Sequence, residues 1–194
     1  MIRRLLDRCV ITFLILIGRP AAAADAPGTS GTSGIQPLAA AVRAIEVARD
    51  QDLFSKPFIV ASVPGQDGVL VTFSVPISNV MVTAGRKATS NQFAILVQPT
   101  EFRVSAPTWR VVNSGKPGLE DSRKLAGAAA RALERVYRNF PPGPVEAEVE
   151  VTADDTKQGG GFDVMVTRIP YAPGAHTLIE LGRDLNVVQV IPGR

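Results

Sequence analysis

The segment Val145-Glu146-Ala147-Glu148-Val149-Glu150-Val151 alternates apolar and acidic residues without interruption. Because successive side chains of a β-strand point to opposite faces, this alternation predicts a strand with one buried and one solvent-facing side. Three further strand-like runs follow at 162–169, 177–181 and 186–191, separated by short turns. Short connections favour antiparallel pairing, so the C-terminal region is predicted to be an antiparallel meander.

A helix is predicted before this meander, over 119–138. Its apolar residues recur at helical spacing, its first turn is acidic and its last turn is basic, which suits the helix dipole at both ends. Pro141 and the prolines after it end the helix. The predicted apolar face consists of Leu125, Ala129, Ala132, Leu133, Val136 and Phe140.

The same order of elements is predicted nearer the N-terminus. A helix begins at Pro37 and ends before Lys56, and a hairpin of 58–63 and 69–75 follows it. The polar segment 84–91 is predicted to be a loop. The apolar face of this first helix is predicted to contain Leu38, Ala41, Val42, Ile45 and Ala48. Further strand-like runs lie at 79–83, 93–97, 102–104 and 109–112.

The order helix, strands, helix, strands predicts an α+β fold, with a helix packed on a curled antiparallel sheet in two helix-plus-meander halves. The halves are predicted over 36–112 and 113–194, and they are compatible with one domain. Arg43-Ala44-Ile45-Glu46 in the first helix is similar to Arg131-Ala132-Leu133-Glu134 in the second. An internal duplication explains this similarity, and so does chance resemblance between two amphipathic helices.

The first 24 residues are typical of a cleaved signal peptide. Basic residues precede a short apolar run at 10–17, and Ala22 and Ala24 supply small residues before a predicted cut at Asp25. The apolar run is about half of the ~20 residues that a spanning helix needs, so no membrane span is predicted after signal removal; an uncleaved anchor is the alternative. We therefore expect a periplasmic or secreted protein with a flexible Gly/Ser/Thr-rich leader over 25–35.

Charge and composition exclude several classes of function. The signal carries four of the 21 basic residues and one of the 18 acidic residues, so the mature chain would hold 17 of each. Nucleic-acid binding needs a basic excess and is not predicted. The mature chain would have no Cys and only one His, His176, which excludes a cysteine nucleophile and a Cys/His zinc site. His176 is predicted to be a turn or strand-edge residue, and no metal or cofactor is predicted.

The strands and turns of the C-terminal half follow the layout of a known class of domain. They resemble the small cystatin-like α+β domains of bacterial exported proteins, with PepSY-type domains and nuclear-transport-factor-fold immunity proteins nearest in layout. The resemblance covers 119–194 at most, and it implies inhibition or partner binding rather than catalysis. It is carried by Phe162-Asp163-Val164-Met165-Val166, Pro173-Gly174-Ala175 and Arg183-Asp184-Leu185-Asn186-Val187-Val188.

Three sets of residues are candidates for binding. Trp109 and Arg110 are a candidate anchor pair, since Trp and Arg are over-represented at binding hot spots; the alternative is a Trp buried under the second helix. A basic stripe is predicted on the second helix, and its alternative is an ordinary solvated face. A row of glutamates on one strand is a candidate docking surface for a basic partner, with Arg168 as a neighbouring cation in the alternative. The stripe is Lys124, Arg131, Arg135 and Arg138, and the row is Glu146, Glu148 and Glu150.

These observations favour a small exported binding protein without catalytic activity, such as an inhibitor, an immunity-like protein or an accessory subunit. Its partner would be another envelope or secreted protein. A periplasmic hydrolase that uses carboxylates, such as Asp163 with a glutamate of the row, is one alternative. A structural component of the envelope is the other.

Overall fold

The computed structural model describes residues 34–49, 52–76, 89–105, 119–156 and 160–194. This part of the chain contains two α-helices, eight β-strands and a short 3₁₀ turn (Asp52–Ser55). The predicted signal, the predicted strands at 79–83 and 109–112, and Trp109 with Arg110 lie outside the described residues. The elements are α1 (Pro37–Ala48), β1 (Phe58–Gly65), β2 (Gly68–Pro76), β3 (Thr89–Val97), β4 (Phe102–Ser105), α2 (Leu119–Tyr137), β5 (Val145–Ala153), β6 (Gly161–Arg168), β7 (His176–Gly182) and β8 (Val187–Pro192).

All eight strands form one antiparallel sheet in the order β4-β3-β2-β1-β5-β6-β7-β8. Each half of the chain therefore contributes a helix followed by a four-stranded meander. The meanders join where β1 pairs with β5, with Val60 opposite Ala147. The predicted α+β class, with helices packed on a curled antiparallel sheet, is confirmed.

The alternation in β5 has the predicted consequence. Val145, Ala147 and Val149 are buried, whereas Glu146 and Glu148 are half-buried on the other face. The buried set packs with α1 and α2 in one hydrophobic core. We call the face under the helices the inner face of the sheet and the opposite one the outer face.

Both helices pack on the inner face and against each other. In α2, Leu133 and Val136 are buried as predicted. In α1, Ala40 and Ala44 are buried, while Leu38 and Val42 of the predicted face are only half-buried. The small alanine side chains face the neighbouring helix and sheet because they allow close approach of the backbones, which hydropathy alone does not predict.

Aromatic rings fill the core beneath α1. The Phe54 and Phe58 rings meet edge to face with centroids 5.2 Å apart, and the Phe58 and Phe73 centroids are 6.3 Å apart. All three side chains are fully buried. Edge-to-face and tilted ring pairs are the arrangements that the ring quadrupoles favour.

Two local predictions are wrong. The predicted loop 84–91 ends earlier, because β3 begins at Thr89 and pairs with the end of β2 through Pro76 and Val75. Backbone pairing with a strand already in place overrides the polar composition of this segment. Phe140 lies beyond the end of α2 and is exposed rather than part of its buried face. Its ring packs beside Tyr137, with centroids 5.9 Å apart.

No helix in the described ranges combines the length and the apolar character needed to cross a bilayer.

One buried hydroxyl ties the two meanders together. The Val145 backbone N–H donates to the Ser62 Oγ at 3.0 Å, and Ser62 is fully buried. Replacing Ser62 with alanine should lower the free energy of unfolding by about 1–3 kcal/mol, because the Val145 N–H would be left buried without an acceptor. Urea unfolding tests this loss against Thr152→Ala, an exposed β5 position whose change should stay within about 0.5 kcal/mol. Equal effects at both positions would show that the hydroxyl is not needed.

Candidate functional site

The predicted row of glutamates lies on the outer face of β5. Glu146 and Glu148 are half-buried and Glu150 is exposed. Side chains two residues apart on a strand are ~6.6 Å apart, so the three charges repel one another mildly. This row is the start of a larger acidic surface.

The register of the neighbouring strands adds two carboxylates. Asp163 of β6 lies directly opposite Glu180 of β7. The next outer-facing row across the same strands consists of Glu150, Met165 and Leu178, so Glu150 is its one acidic residue. Opposed like charges destabilise a strand pair unless a counter-charge is near. We call Glu146, Glu148, Glu150, Asp163 and Glu180 together the acidic face.

The sequence and the register together show that no Lys or Arg occupies an outer-facing position on β5, β6, β7 or β8, all four of which are described. His176 of β7 lies on the outer face opposite Thr167, and Arg168 is the one Lys or Arg within these strands. Its prediction as a counter-cation for the glutamate row is wrong, because it lies opposite Ala147 on the inner face. Its guanidinium lies 4.4 Å from the centroid of the Phe140 ring.

Tyr171 contacts the middle of the glutamate row. Its hydroxyl donates to the Glu148 Oε2 at 2.8 Å. Burial raises the pKa of the Tyr171 hydroxyl, and the hydrogen bond and the negative charges of Glu148 and Glu146 raise it further. The hydroxyl therefore stays protonated and holds the Glu148 carboxylate in place as a donor.

The backbone under Glu146 is also held firmly. Its carbonyl oxygen accepts from the Tyr137 hydroxyl at 2.9 Å and from the Ile169 N–H at 2.9 Å. Burial raises the pKa of Tyr137, so this hydroxyl too remains a donor. The carboxylates at this end of β5 thus project from a rigid strand.

The outer face has a different character on β1 to β3. Val63, Leu70 and Leu96 lie side by side across these strands, and we call them the apolar row. The next row contains the smaller side chains Ala61, Thr72 and Ala94, and Ala61 lies opposite Glu146. The sheet therefore carries an apolar area that directly borders the acidic face.

The predicted basic stripe lies on α2, and much of its charge is offset within the helix. Lys124 pairs with Glu120 at 2.9 Å. Glu134 pairs with Arg131 at 3.0 Å and with Arg138 at 3.4 Å, and Arg135 is half-buried. Such exposed pairs contribute little to stability, but they lower the net positive potential that the stripe presents.

The carboxylates of the predicted hydrolase pair, Asp163 with a glutamate of the row, line none of three clefts in the described ranges. One cleft of about 300 Å³ lies beside Tyr137 and Phe140, one of about 470 Å³ lies along α1, and one of about 620 Å³ lies near Asp121 and Asp155. His176 is exposed at the start of β7. Within the described ranges, no three His, Cys, Asp or Glu side chains are grouped to hold a metal ion.

No protein family, curated protein or solved structure matches this chain. The function must therefore be argued from the geometry of the acidic face and its surroundings.

Sequence reasoning identified three of the five carboxylates as a surface. It missed Glu180 and considered Asp163 only as a catalytic group. The alternation in β6 and β7 shows that both are outer-facing, since Val164 and Ile179 beside them are apolar. Their direct opposition depends on the register of two strands, which the sequence does not determine.

Proposed function

We propose that this chain is a non-enzymatic binding protein that recognises a cationic protein partner through the acidic face. The observation that carries the proposal is the placement of five carboxylates on the outer face of β5 to β7, with no Lys or Arg on the same face of β5 to β8. Charge complementarity of this kind speeds encounter and selects partners of opposite charge.

The rigidity of the sheet supports this function. The five carboxylates lie on paired strands, and Asp163 is directly opposite Glu180, so their negative charges add to one local potential. Cations of a partner are attracted to that potential. The hydrogen bond from Tyr171 to Glu148 fixes one carboxylate before a partner arrives, which lowers the entropy lost on binding.

The proposed setting is the periplasm or the exterior of the cell, because of the predicted signal over 1–24. The partner is then another envelope or secreted protein. The layout of the C-terminal half, which resembles cystatin-like domains, favours an inhibitor, immunity-like protein or accessory subunit within this class. A structural envelope component remains the alternative if the face binds no partner.

Titration with deca-lysine tests the proposal, with binding followed at each backbone amide by NMR. We expect shifts on β5 to β7, and weaker binding at about 0.5 M salt because of charge screening. A double variant, Glu150→Lys with Glu180→Lys, should weaken binding about tenfold.

The matched control is Glu46→Lys with Asp121→Lys, which changes the net charge equally at exposed helix positions. It should alter the affinity less than about twofold. If both double variants weaken binding equally, or if the shifts map to α1 and α2, the acidic face is not the binding surface and the proposal fails.

A further inference from the structure

We infer that the partner segment is bipartite, with a cationic stretch on the acidic face and apolar side chains seated on the apolar row. This inference rests on the proposed function and names the chemistry of its partner. Its basis is that two surfaces of different character share one rigid sheet face and meet at the β1–β5 pair.

The junction between the two surfaces is short. Ala61 lies opposite Glu146, and Val63 is the next outer-facing residue along β1. Diagonal neighbours of this kind have side chains roughly 7–8 Å apart. One residue of a bound segment can therefore contact Glu146 while an adjacent residue contacts Val63.

Two residues of the apolar row are exposed, and Leu96 is half-buried. Val63 has 57% of its surface accessible and Leu70 has 41%, whereas Ile59 and Ser74 on the same face are buried at 8% each. On β1 and β2 the exposed apolar side chains thus lie at the hairpin end of the two strands, and Ile191 of β8 is a further exposed apolar residue on the outer face. Clustered exposed apolar side chains next to polar groups are typical of interaction sites.

Charge adds specificity at the acidic end of this arrangement. The outer-facing residues of β1 and β2 are uncharged, so a partner needs no counter-charge there. Arg103 of β4 lies opposite Leu96 at the far end of the apolar row, where Glu101 offsets its charge at 3.4 Å. A segment with its cations on the apolar row would lose the acidic face, so the arrangement of the two surfaces sets the order of the partner's residues.

The charge distribution also selects among occupants. A second copy of the chain would bring acidic face against acidic face in a symmetric contact. An anionic lipid surface would be repelled in the same way. The leader over 25–35 offers only the α-amino group that cleavage at Asp25 would create, and the carboxylate of Asp25, its one charged side chain, offsets that charge. A cationic segment of a different protein meets none of these obstacles.

Contact through the β8 edge of the sheet is disfavoured. The Gly193 N–H donates to the His176 carbonyl at 2.7 Å. In an antiparallel pair every second residue directs its backbone N–H and C=O toward the partner strand, so Ile191 and Gln189 also direct theirs toward β7. Pro192 then faces outward and has no N–H to donate. A bulge opposite Leu181 interrupts the start of the strand. An added strand would find few hydrogen bonds at this edge.

Two pairs of peptides test the inference. In the first pair, both peptides have six lysines and three leucines, with the leucines at the N-terminus of one and at the C-terminus of the other. The second pair has serines in place of the leucines. Of the two leucine peptides, the unaltered protein should bind one more tightly. Its affinity for that peptide should be about tenfold higher than for the serine peptide of the same order, because the leucines bury apolar surface on the apolar row.

The double variant Val63→Thr with Leu70→Thr should remove this leucine advantage and leave the affinity for the serine peptides unchanged. Both substitutions keep side chains that suit a strand. Val188→Thr is the control, since Val188 is exposed on β8 away from the apolar row; it should preserve the advantage. Isothermal titration calorimetry measures all of these affinities.

The outcomes separate the two proposals. Serine peptides that fail to bind the acidic face would overturn the proposed function and this inference with it. If the serine peptides bind but the leucine peptides bind no more tightly, the inference alone is overturned. The same holds if the higher affinity for leucine persists in the Val63→Thr and Leu70→Thr double variant.

Discussion

Replacing Gly68 with alanine should lower the free energy of unfolding by about 3 kcal/mol or more, a large effect for one added methyl group. Gly68 opens β2 with φ of +147°, a backbone conformation that side chains disfavour. An added Cβ would also overlap the Val97 carbonyl oxygen of the neighbouring strand. A backbone oxygen in a ladder cannot move away cheaply, so strain and overlap add.

Two glycines provide the controls for this prediction. Gly65 lies opposite Gly68 in the β1–β2 hairpin, and a Cβ there would make only an ordinary contact at 3.5 Å. Gly65→Ala should therefore change stability by no more than about 0.5 kcal/mol. Gly160 has φ of +77° and open space around it, so Gly160→Ala should show the backbone strain alone, about 1–2 kcal/mol.

Urea titrations of the three alanine variants measure these differences, provided that the denaturant dependence stays constant among them. The order of loss should be Gly68, then Gly160, then Gly65. A Gly68 variant no less stable than the Gly65 variant would show that β3 does not approach β2 at Gly68 as described.

The β5 segment shows how much of this fold a sequence pattern can predict. Alternation placed Val145, Ala147 and Val149 inside and the glutamates outside, because the two faces of a strand follow directly from its period of two. The same rule applied to β6 would have placed Arg168 inside. Phe162, Val164 and Val166 are buried at even positions, and Arg168 continues that series.

The alternation of apolar and polar residues does not predict which distant strands pair. The sequence contains no signal that β1 pairs with β5, since the two strands are joined only through the rest of the first half and α2. That pairing brings the apolar row beside the acidic face. The central feature of the proposed site is therefore a product of topology, although each strand was predicted separately.

The turn between β7 and β8 illustrates a second limit. Leu185 adopts φ of +62°, a conformation that glycine or asparagine usually supplies. Its side chain packs against α2, where a Cβ on Gly127 would lie 2.8 Å from the Leu185 Cδ1. The leucine is tolerated because burial against the helix compensates for backbone strain, and local turn preferences contain no information about that contact.

Leu133→Ala should be the most destabilising truncation in the middle of α2, with a loss of about 2–5 kcal/mol in the free energy of unfolding. Leu133 is fully buried in the core that both helices and the sheet share. Removing three carbons there leaves a cavity that the rigid sheet cannot close. Arg131→Ala, on the exposed side of the same helix, removes a surface pair with Glu134 and should cost no more than about 0.5 kcal/mol. Equal shifts of the two urea midpoints would mean that α2 presents a different face to the sheet, and the acidic face would then lose the rigid support on which its proposed function depends.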